Sequence, residues 1–254
     1  MDGIAGLGIA IAGGAGDIGC AMAAELTKHG AKVTLLDRKP AAEANPWIEK
    51  AGLHGPVRYI QADVTNRAEV DHALAQMDRL DVAIGNQAIG HGIPFLDLTQ
   101  DQWSQHIETN LTGCFNVGQA AARLMVERGV QGRILFTGSW VQEVPWPEIS
   151  AYSTSKAGVR MLARSMAREL AVYGIRVNVI APGIVYAGLA KHQLETEPQY
   201  AKRVKGVIPL GDLQTPEQIA QATAFLCSDG ASQMTGSVLL IDGGCSLFQF
   251  DAGD

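Results

Sequence analysis

The sequence predicts an α/β fold in which a doubly wound parallel sheet carries helices on both faces. Short apolar runs alternate with longer amphipathic stretches along the chain, which is typical of βαβ units. The apolar runs are almost continuously aliphatic and β-branched, as expected for strands that are buried on both faces. Because no Pro/Ser-rich or charged linker interrupts the 254 residues, we expect a single domain over residues 1–254.

The predicted elements follow one another in a regular order. Strands are predicted at Ile4–Ala12, Lys32–Leu36, Val57–Ala62, Val82–Ile84, Arg133–Thr137, Arg176–Ala181 and Ser237–Ile241. Helices are predicted at Ile18–His29, Arg67–Met77, Gln100–Arg128, Tyr152–Tyr173 and Pro216–Cys227, with a polar segment after the second strand. This alternation predicts a Rossmann-like sheet. The charged, amide-rich stretch 186–213 follows a strand end, where such sheets bind ligands, and is predicted to be a substrate lid.

Composition excludes several classes of function. The formal net charge is −6 and the pI is about 5.5, so the chain lacks the basic field that holds a nucleic acid backbone. No apolar run reaches the roughly 20 residues that span a bilayer, and no Lys or Arg precedes the apolar N-terminal run, as it would in a signal peptide. Four dispersed cysteines without a C-x-x-C pair fit reduced thiols in a cytoplasmic protein, and the six scattered histidines predict no metal site.

A glycine-rich turn at 12–19 follows the first strand and opens a helix. Glycine lets the backbone approach a pyrophosphate, and the helix N-terminus offers free N–H groups and partial positive charge. A tight β–α turn without a ligand would show the same glycines, but the strand before and the helix after favour dinucleotide binding. We therefore predict cofactor contacts at Gly13, Asp17, Ile18 and Gly19.

The second strand ends at Asp37-Arg38, and these two residues point to different cofactors. A carboxylate at this place can accept hydrogen bonds from both hydroxyls of an adenosine ribose and would repel a 2′-phosphate, which favours NAD over NADP. The guanidinium of Arg38 could stack on the adenine or, in the competing interpretation, hold a phosphate. Asp37 could also be a solvated turn residue. We predict NAD, with NADP as the weaker alternative.

The clearest chemical signal is Ser139 followed by Tyr152 and Lys156. Tyr152 and Lys156 stand four residues apart in a predicted helix, so their side chains share one face. An ammonium group beside a phenol favours the phenolate, which makes a tyrosine usable as an acid or base nearer neutral pH. Ser139, after the preceding strand, can donate a hydrogen bond to the same carbonyl oxygen. This arrangement predicts proton transfer at a carbinol or carbonyl oxygen.

In these motifs and their order, the sequence resembles the short-chain dehydrogenase/reductase family over essentially its whole length. The matching motifs are the turn at 13–19, Asp63-Val64, Asn110-Leu111, Ser139, Tyr152 with Lys156, Pro182-Gly183 and Asp242-Gly243-Gly244. The resemblance implies that Tyr152 is the acid/base, Ser139 orients substrate, Lys156 favours the phenolate and holds the nicotinamide ribose, and Asn110 supports a water relay. It further implies cofactor contacts at Asp63, Val64, Asn86, Pro182, Gly183 and Val185.

Several positions depart from the family pattern, all of them near the expected cofactor. Asp17 replaces a glycine of the turn, where it would add negative charge near the pyrophosphate or cap the helix through its side chain. Ala12 replaces a threonine of the same turn, Gln87 falls in the motif after the fourth strand, and Ala187 stands where a threonine often binds the carboxamide. We expect these changes to alter cofactor affinity and to leave the four catalytic candidates intact.

The substrate pocket is outlined by residues that suit hydroxylated compounds. Candidates are His91, Gly92, Trp140, Gln142, Trp146, Tyr186, His192 and Gln193. A sugar ring packs on aromatic faces, and its hydroxyls need donors and acceptors; the alternative is that some of these residues only pack in the core or at an interface. Lys191, Arg203 and Lys205 in the predicted lid would suit an anionic substituent or would simply be solvated.

The sequence favours an NAD-dependent dehydrogenase of a small molecule, most plainly a sugar or polyol. The second candidate is a 3-oxoacyl or other ketone reductase. A third is a non-catalytic dinucleotide-binding regulatory or structural subunit, against which the intact Ser139, Tyr152 and Lys156 argue. The family resemblance implies a homotetramer or homodimer, and the aromatic tail at 247–250 is expected to be buried against a neighbouring subunit.

Overall fold

A computed structural model describes residues 1–204 and 206–247, apart from the side chain of Leu189. Its sheet contains seven parallel strands in the order β3-β2-β1-β4-β5-β6-β7. The strands are β1 (Gly8–Ala12), β2 (Lys32–Asp37), β3 (Val57–Gln61), β4 (Val82–Gly85), β5 (Arg133–Thr137), β6 (Arg176–Pro182) and β7 (Val238–Ile241). The order in which strands are added to the sheet reverses between β1 and β4. Such sheets bind ligands at this switch point. The predicted doubly wound, Rossmann-like fold is confirmed.

Helices cover both faces of the sheet. They are α1 (Asp17–Lys28), α2 (Ala41–Lys50), α3 (Arg67–Ala75), α4 (Gln100–His106), α5 (Gly113–Glu127), α6 (Ser150–Leu170), α7 (Gly188–Thr196), α8 (Pro198–Val204) and α9 (Pro216–Cys227). One core packs α3, α5 and α6 on the sheet, with Val117 and Val159 fully buried. The other packs α1 and α9, with Met22 and Ile219 fully buried. Two buried apolar layers therefore fix the positions of the strand ends.

The first strand is shorter than the sequence predicts. Gly3 and Gly6 both adopt a left-handed backbone with φ +79°, so the chain turns before β1 begins at Gly8. Ile4 is fully buried and contributes to the core from this turn. The prediction that this apolar segment is buried was thus correct for Ile4, but the prediction of a strand there was wrong.

The polar segment after β2 forms helix α2, which the sequence analysis did not predict. Ala44 is its one buried residue, so the segment carries no apolar periodicity. Pro46 lies inside the helix, and a proline there normally ends or kinks a helix. Both features hid the helix from pattern analysis.

The long helix predicted over Gln100–Arg128 is interrupted by a π-helical turn at Ile107–Thr112 between α4 and α5. This turn contains Asn110, one of the four catalytic candidates. A π turn holds more residues per turn than an α-helix and often occurs at functional sites. Here it coincides with a side chain whose hydrogen bonds leave the helix, as described below.

The segment 186–213, predicted as a lid, contains α7, α8 and the turns that follow them. Of the other sequence-based expectations, those for Lys205 and for the tail beyond Leu247 lie outside the described residues. Within the described part of the chain, no helix is long and apolar enough to cross a membrane. The four cysteines are buried and unpaired.

Candidate active site

A cleft of about 490 Å³ opens at the carboxyl ends of the strands. One half is lined by the turn after β1 and by the residues that follow β2 and β3, and we call it the glycine-turn half. The other half is lined by the loop Gly138–Ile149 between β5 and α6 and by residues of α7 and α8, and we call it the loop half. Tyr152 and Lys156 lie between the two halves.

Close backbone packing shapes the glycine turn. Gly13 has φ +70°, and a Cβ atom there would come within 2.6 Å of the Gln87 backbone. A Cβ on Gly19 would lie 2.4 Å from the Gly13 carbonyl oxygen. Gly13 lines the cleft, whereas Gly19 is buried in α1 and outside the lining. Gly19 therefore acts through packing, by letting the N-terminus of α1 approach the turn.

The Asp37 carboxylate is fixed by the backbone at the end of β2. Its Oδ2 accepts a hydrogen bond from Ala15 N at 3.1 Å, and its Oδ1 accepts one from Lys39 N at 3.2 Å. Lys39, which the sequence analysis did not select, donates from Nζ to the Ala15 carbonyl at 2.7 Å and lies over the Trp47 ring. Asp37, Arg38 and Lys39 all line the cleft, so one carboxylate and two cationic side chains meet there.

Asn86 links the glycine turn to the centre of the cleft. Its amide donates to the Gly13 carbonyl at 3.1 Å, and its Oδ1 accepts from the Thr137 hydroxyl at 2.9 Å. The Thr137 carbonyl in turn accepts a 2.7 Å hydrogen bond from Lys156 Nζ. This chain of contacts joins the ends of β1, β4 and β5, and it ends on the buried ammonium group.

Tyr152, Lys156 and Ser139 converge as the sequence spacing predicts. Lys156 is 1% exposed, and its Nζ lies 5.5 Å from the centre of the Tyr152 ring. Ser139 follows β5 by two residues and caps the 3₁₀ turn at Trp140–Gln142, where its Oγ accepts a 3.5 Å hydrogen bond from Val141 N. That contact uses the oxygen as acceptor, so the hydroxyl hydrogen is free to donate toward the cleft.

Asn110 is fully buried behind the cleft rather than in its lining. Its side chain accepts from Ile89 N at 2.8 Å and donates to the Ile89 carbonyl at 2.9 Å and to Ser155 Oγ at 3.0 Å. Ser155 donates to the Tyr152 carbonyl at 2.6 Å. Asn110 therefore ties the π turn to Ile89, which lines the cleft, and to the first turns of α6. The relay role implied by the family resemblance stays a prediction.

The sequence allowed Asp17 to cap α1 through its side chain, but the structure shows no such cap. It is the first residue of the helix, and the N-cap residue Gly16 makes no side-chain cap. The Asp17 carboxylate instead accepts a 2.8 Å hydrogen bond from Gly188 N, at the start of α7. The substituted position of the glycine turn thus contacts the segment 186–213.

The loop half contains an apolar cluster built around two indoles. Trp140 and Trp146 pack edge to face with ring centres 5.3 Å apart, and both line the cleft. The cluster extends through Ile184 into Val204, Val207 and Ile208. The segment 186–213 therefore packs against the β5–α6 loop, beside Tyr152.

Four predicted pocket residues do not line the cleft. His91 is exposed and stacks edge to face on His106, with ring centres 5.5 Å apart. Gln142 is buried behind Gly138, and neither atom of its amide has a hydrogen-bond partner. Tyr186 is 42% exposed and donates to Glu195 at 2.6 Å, and His192 is exposed on α7. Each side chain is directed elsewhere by local contacts or by the outward face of its helix.

Glu148 was missed by the sequence analysis and lines the loop half. It has φ +68°, the one positive φ among the described non-glycine residues, a conformation that costs an L-residue roughly 1–2 kcal/mol. Its carbonyl accepts from Ile93 N at 2.6 Å, and its carboxylate pairs with Arg203 of α8 at 3.2 Å. Arg203, considered above for an anionic substituent, is therefore already paired. No periodic pattern in the sequence marks a residue in such a loop.

Two polar residues of the segment 186–213 line the loop half: Gln193, a candidate from the sequence, and Tyr200, which was not selected. Gln193 of α7 places its amide nitrogen beside Gly92. Tyr200 of α8 lines the cleft, and burial raises the pKa of its phenol to about 12, so it stays neutral at any assay pH of interest. Both residues offer hydrogen-bonding groups without charge.

Most predicted cofactor residues lie in the cleft lining. The lining includes Gly13, Asp17, Ile18, Asp37, Arg38, Asp63, Val64, Asn86, Tyr152, Lys156, Pro182, Gly183 and Val185. The sheet with its switch point, the glycine turn and the Ser-Tyr-Lys group together define a dinucleotide-binding oxidoreductase class.

Comparison with known proteins agrees with this class. The family described as enoyl-(acyl carrier protein) reductase matches residues 13–246. The chain belongs to the short-chain dehydrogenase/reductase family.

Among curated relatives, the 3beta-hydroxysteroid dehydrogenase 1 of Eggerthella lenta is 34% identical, with 99% of both chains covered. The L-rhamnose-1-dehydrogenase of Scheffersomyces stipitis is also 34% identical, with 93% of this chain and 94% of the relative covered. Among solved structures, gox2181 has a TM-score of 0.89 at 31% identity and covers 96% of this chain and 97% of its own. A neighbour from Agrobacterium tumefaciens has a TM-score of 0.87 at 26% identity, covers 96% and 98% respectively, and contains bound NADP.

Proposed function

We propose that this oxidoreductase is an NAD-dependent dehydrogenase of a neutral sugar or polyol, acting as one domain over residues 1–254. The observation that carries the proposal is the convergence of Ser139, Tyr152 and Lys156 in a cleft whose other half has the Asp37 carboxylate. The first group supplies acid–base chemistry at an oxygen, and the carboxylate supplies recognition of two ribose hydroxyls.

The residues present fit a nicotinamide dinucleotide. The Gly13 and Gly19 positions have no room for a Cβ atom, so the N-terminus of α1 and its free N–H groups lie at the cleft surface, where a pyrophosphate would bind. Asp63 and Val64 would contact adenine, and Lys156 would hold the nicotinamide ribose. Pro182, Gly183 and Val185 would flank the nicotinamide.

The preference for NAD rests on Asp37. Both of its oxygens accept backbone hydrogen bonds, which keeps the carboxylate at the end of β2, where it would repel a 2′-phosphate. Arg38 and Lys39 line the same region, and NADP is bound in one structural neighbour. Lys39 Nζ, however, already donates to the Ala15 carbonyl and lies over Trp47. These contacts occupy one of the two cations, which supports Asp37 as the deciding group.

Proton transfer is assigned to Tyr152. As the phenolate, its oxygen takes the proton from the substrate hydroxyl and becomes the phenol, while Ser139 Oγ donates a hydrogen bond to the same substrate oxygen. Lys156 is fixed by the Thr137 carbonyl, with its Nζ 5.5 Å from the centre of the Tyr152 ring. A bound nicotinamide would supply the acceptor for the hydride that leaves the carbinol carbon. Asn110 positions Ile89 and the start of α6 and so keeps these groups aligned.

The loop half supports a hydroxylated substrate. Trp140 and Trp146 offer ring faces, while Gln193, Tyr200 and Glu148 offer polar groups in the same lining. Sugar rings pack on aromatic faces, and their hydroxyls pair with amides, phenols and carboxylates. The rhamnose dehydrogenase among the relatives acts on a compound of this kind by its name. The steroid dehydrogenase does not, and it defines the competing ketone or alcohol substrate.

The test is an absorbance screen for NADH or NADPH formation at alkaline pH with aldoses, polyols, hydroxy acids, secondary alcohols and a 3β-hydroxysteroid. We expect turnover of a neutral sugar or polyol with NAD. Turnover only of the steroid or simple alcohols would replace the substrate class and favour the ketone-reductase alternative. No turnover in either direction, with NADH binding intact, would favour a non-catalytic dinucleotide-binding subunit.

We further propose a cytoplasmic homotetramer or homodimer. Phe115 of α5, Met161 of α6 and Leu240 of the edge strand β7 are 40%, 57% and 46% exposed. Large apolar side chains at this exposure are more favourably buried against another subunit than left in water.

A further inference from the structure

The cleft-lining carboxylates divide unevenly between the two halves. Asp17, Asp37 and Asp63 lie in the glycine-turn half, and among the described residues Glu148 is the one carboxylate in the lining of the loop half. Its neighbours there are Trp146, Pro147 and Ile149, so it is the sole negative group in an otherwise apolar wall. Tyr152 follows it by four residues. Glu148 is thus part of the lining that a substrate held at Tyr152 would contact.

The backbone at Glu148 is better suited to another residue. A left-handed conformation with φ +68° favours glycine or asparagine, so glutamate destabilises the loop. Its ion pair with Arg203 does not offset this cost, because the Glu148 side chain is 46% exposed and exposed ion pairs contribute little to stability. Residues held in such conformations cluster at functional sites. A function of the side chain, rather than the stability of the loop, therefore explains why glutamate occupies this position.

Two contacts fix where the carboxylate lies. The Glu148 carbonyl accepts from Ile93 N, which holds the loop against the segment that follows β4 and contains the cleft-lining Gly92. Arg203 of α8, whose guanidinium lies 6.0 Å from the centre of the Trp146 ring, holds the carboxylate at 3.2 Å. An ionised carboxylate accepts hydrogen bonds and donates none, so its natural partners in a substrate are hydroxyl groups.

We propose that Glu148 determines substrate specificity by accepting hydrogen bonds from hydroxyl groups of a neutral sugar or polyol that lie away from the reacting carbon. This inference rests on the proposed function and assigns its substrate class to one residue. Glu148 selects against apolar alcohols, which would displace water from its carboxylate without donating a hydrogen bond to it, and against anionic substrates, which it repels.

The experiment compares E148G, E148Q and R203M with the wild-type enzyme. The substrates are the neutral sugar or polyol with the highest wild-type kcat/KM and cyclohexanol, which has one hydroxyl. For E148G we expect KM for the sugar or polyol to rise about tenfold or more, since hydrogen bonds to a charged group are strong. The Kd for NADH should stay within about twofold and Tm should be unchanged or higher, since glycine relieves the left-handed backbone.

The two other variants separate recognition from the ion pair. E148Q keeps an acceptor without the charge and should raise KM by roughly threefold to fivefold. R203M removes the ion pair but leaves Glu148 held through its backbone contact with Ile93 N, and should change KM by no more than about threefold. The kcat/KM for cyclohexanol should be unchanged or higher in E148G.

Three results would overturn the assignment of Glu148. They are an unchanged KM for the sugar or polyol in E148G, an equal loss of kcat/KM for cyclohexanol, or an R203M variant that reproduces E148G. Any of them leaves the proposed function in place, because the wild-type enzyme still oxidises the sugar or polyol. A wild-type enzyme that oxidises no sugar or polyol overturns the proposed function, and the role of Glu148 with it.

Discussion

The two halves of the cleft are built in different ways. The glycine-turn half consists of strand ends and one turn, and its geometry is set by backbone contacts such as those of Asp37 with Ala15 N and of Gly13 with Gln87. The loop half consists of an irregular loop and two short helices, joined by side-chain contacts such as the pair Glu148–Arg203. Binding of a common cofactor and selection of a particular substrate are thus assigned to different kinds of structure.

The largest effect should come from the point where the halves meet. Tyr152→Phe removes one hydroxyl and keeps the ring that lies beside Lys156. Because general acid–base catalysis contributes about 10²- to 10⁴-fold, we expect kcat to fall by about that factor, whereas the Kd for NADH stays within about twofold. Stopped-flow kinetics and fluorescence titration of NADH measure the two quantities. Near-normal turnover would mean that another group transfers the proton.

The same contrast explains which parts of the molecule could be predicted from sequence. The doubly wound parallel sheet and the glycine-turn half follow from strand and turn patterns, because a strand end places its next residues at the cleft whatever their side chains. Glu148 and Tyr200 reach the loop half through a left-handed turn and a short helix, which have no repeating signature. Their placement depends on tertiary packing between distant segments.

Predictions that failed did so for local physical reasons. Tyr186 was expected in the pocket, but its hydroxyl donates a hydrogen bond to Glu195 of α7. Gln142 was expected there too, but it packs behind Gly138. Both residues were predicted from their side-chain chemistry alone. The direction of each side chain depends on neighbouring residues whose positions cannot be read from the sequence. The π turn at Asn110 was hidden for the same reason, since its partner Ile89 lies on another segment.

A smaller effect should separate the two cofactors within the glycine-turn half. Asp37→Ala removes hydrogen-bond acceptors for a ribose and the charge that repels a 2′-phosphate. We expect the ratio of kcat/KM for NAD to that for NADP to fall by roughly tenfold to a hundredfold, as for loss of a hydrogen bond to a charged group. Initial-rate kinetics with both cofactors measure the ratio.

Asp37→Asn is the matched control for this change. Because asparagine keeps one acceptor oxygen, it can still accept from Ala15 N while removing the charge, although it loses the acceptor for Lys39 N. If D37A weakens both cofactors equally and D37N weakens neither, Asp37 supports the turn and does not discriminate. Selection would then belong to Arg38 or Lys39, the cations in the same lining.

The smallest effect concerns Asp17, the one described side chain of the glycine turn that reaches the segment 186–213 by a hydrogen bond. Its carboxylate lies where the family pattern has glycine, at the N-terminus of α1, near the expected pyrophosphate. Like charges a few ångströms apart in water repel by about 1 kcal/mol. Asp17→Asn should therefore tighten NADH binding by roughly threefold to fivefold, as measured by fluorescence titration. The gain should shrink at high salt, because an exposed charge is screened.

Asp17→Ala distinguishes the charge from the contact with α7. Alanine also removes the negative charge, but it cannot accept the hydrogen bond from Gly188 N that asparagine can keep. We expect the same gain in affinity from both variants and faster proteolysis within 186–213 only in D17A, because α7 loses its contact with the turn. Weaker NADH binding in D17N would instead mean that the carboxylate favours the cofactor. Weaker NADH binding in D17A alone would mean that the two halves are coupled through α7 rather than separately built, since the contact with Gly188 N would then contribute to cofactor affinity.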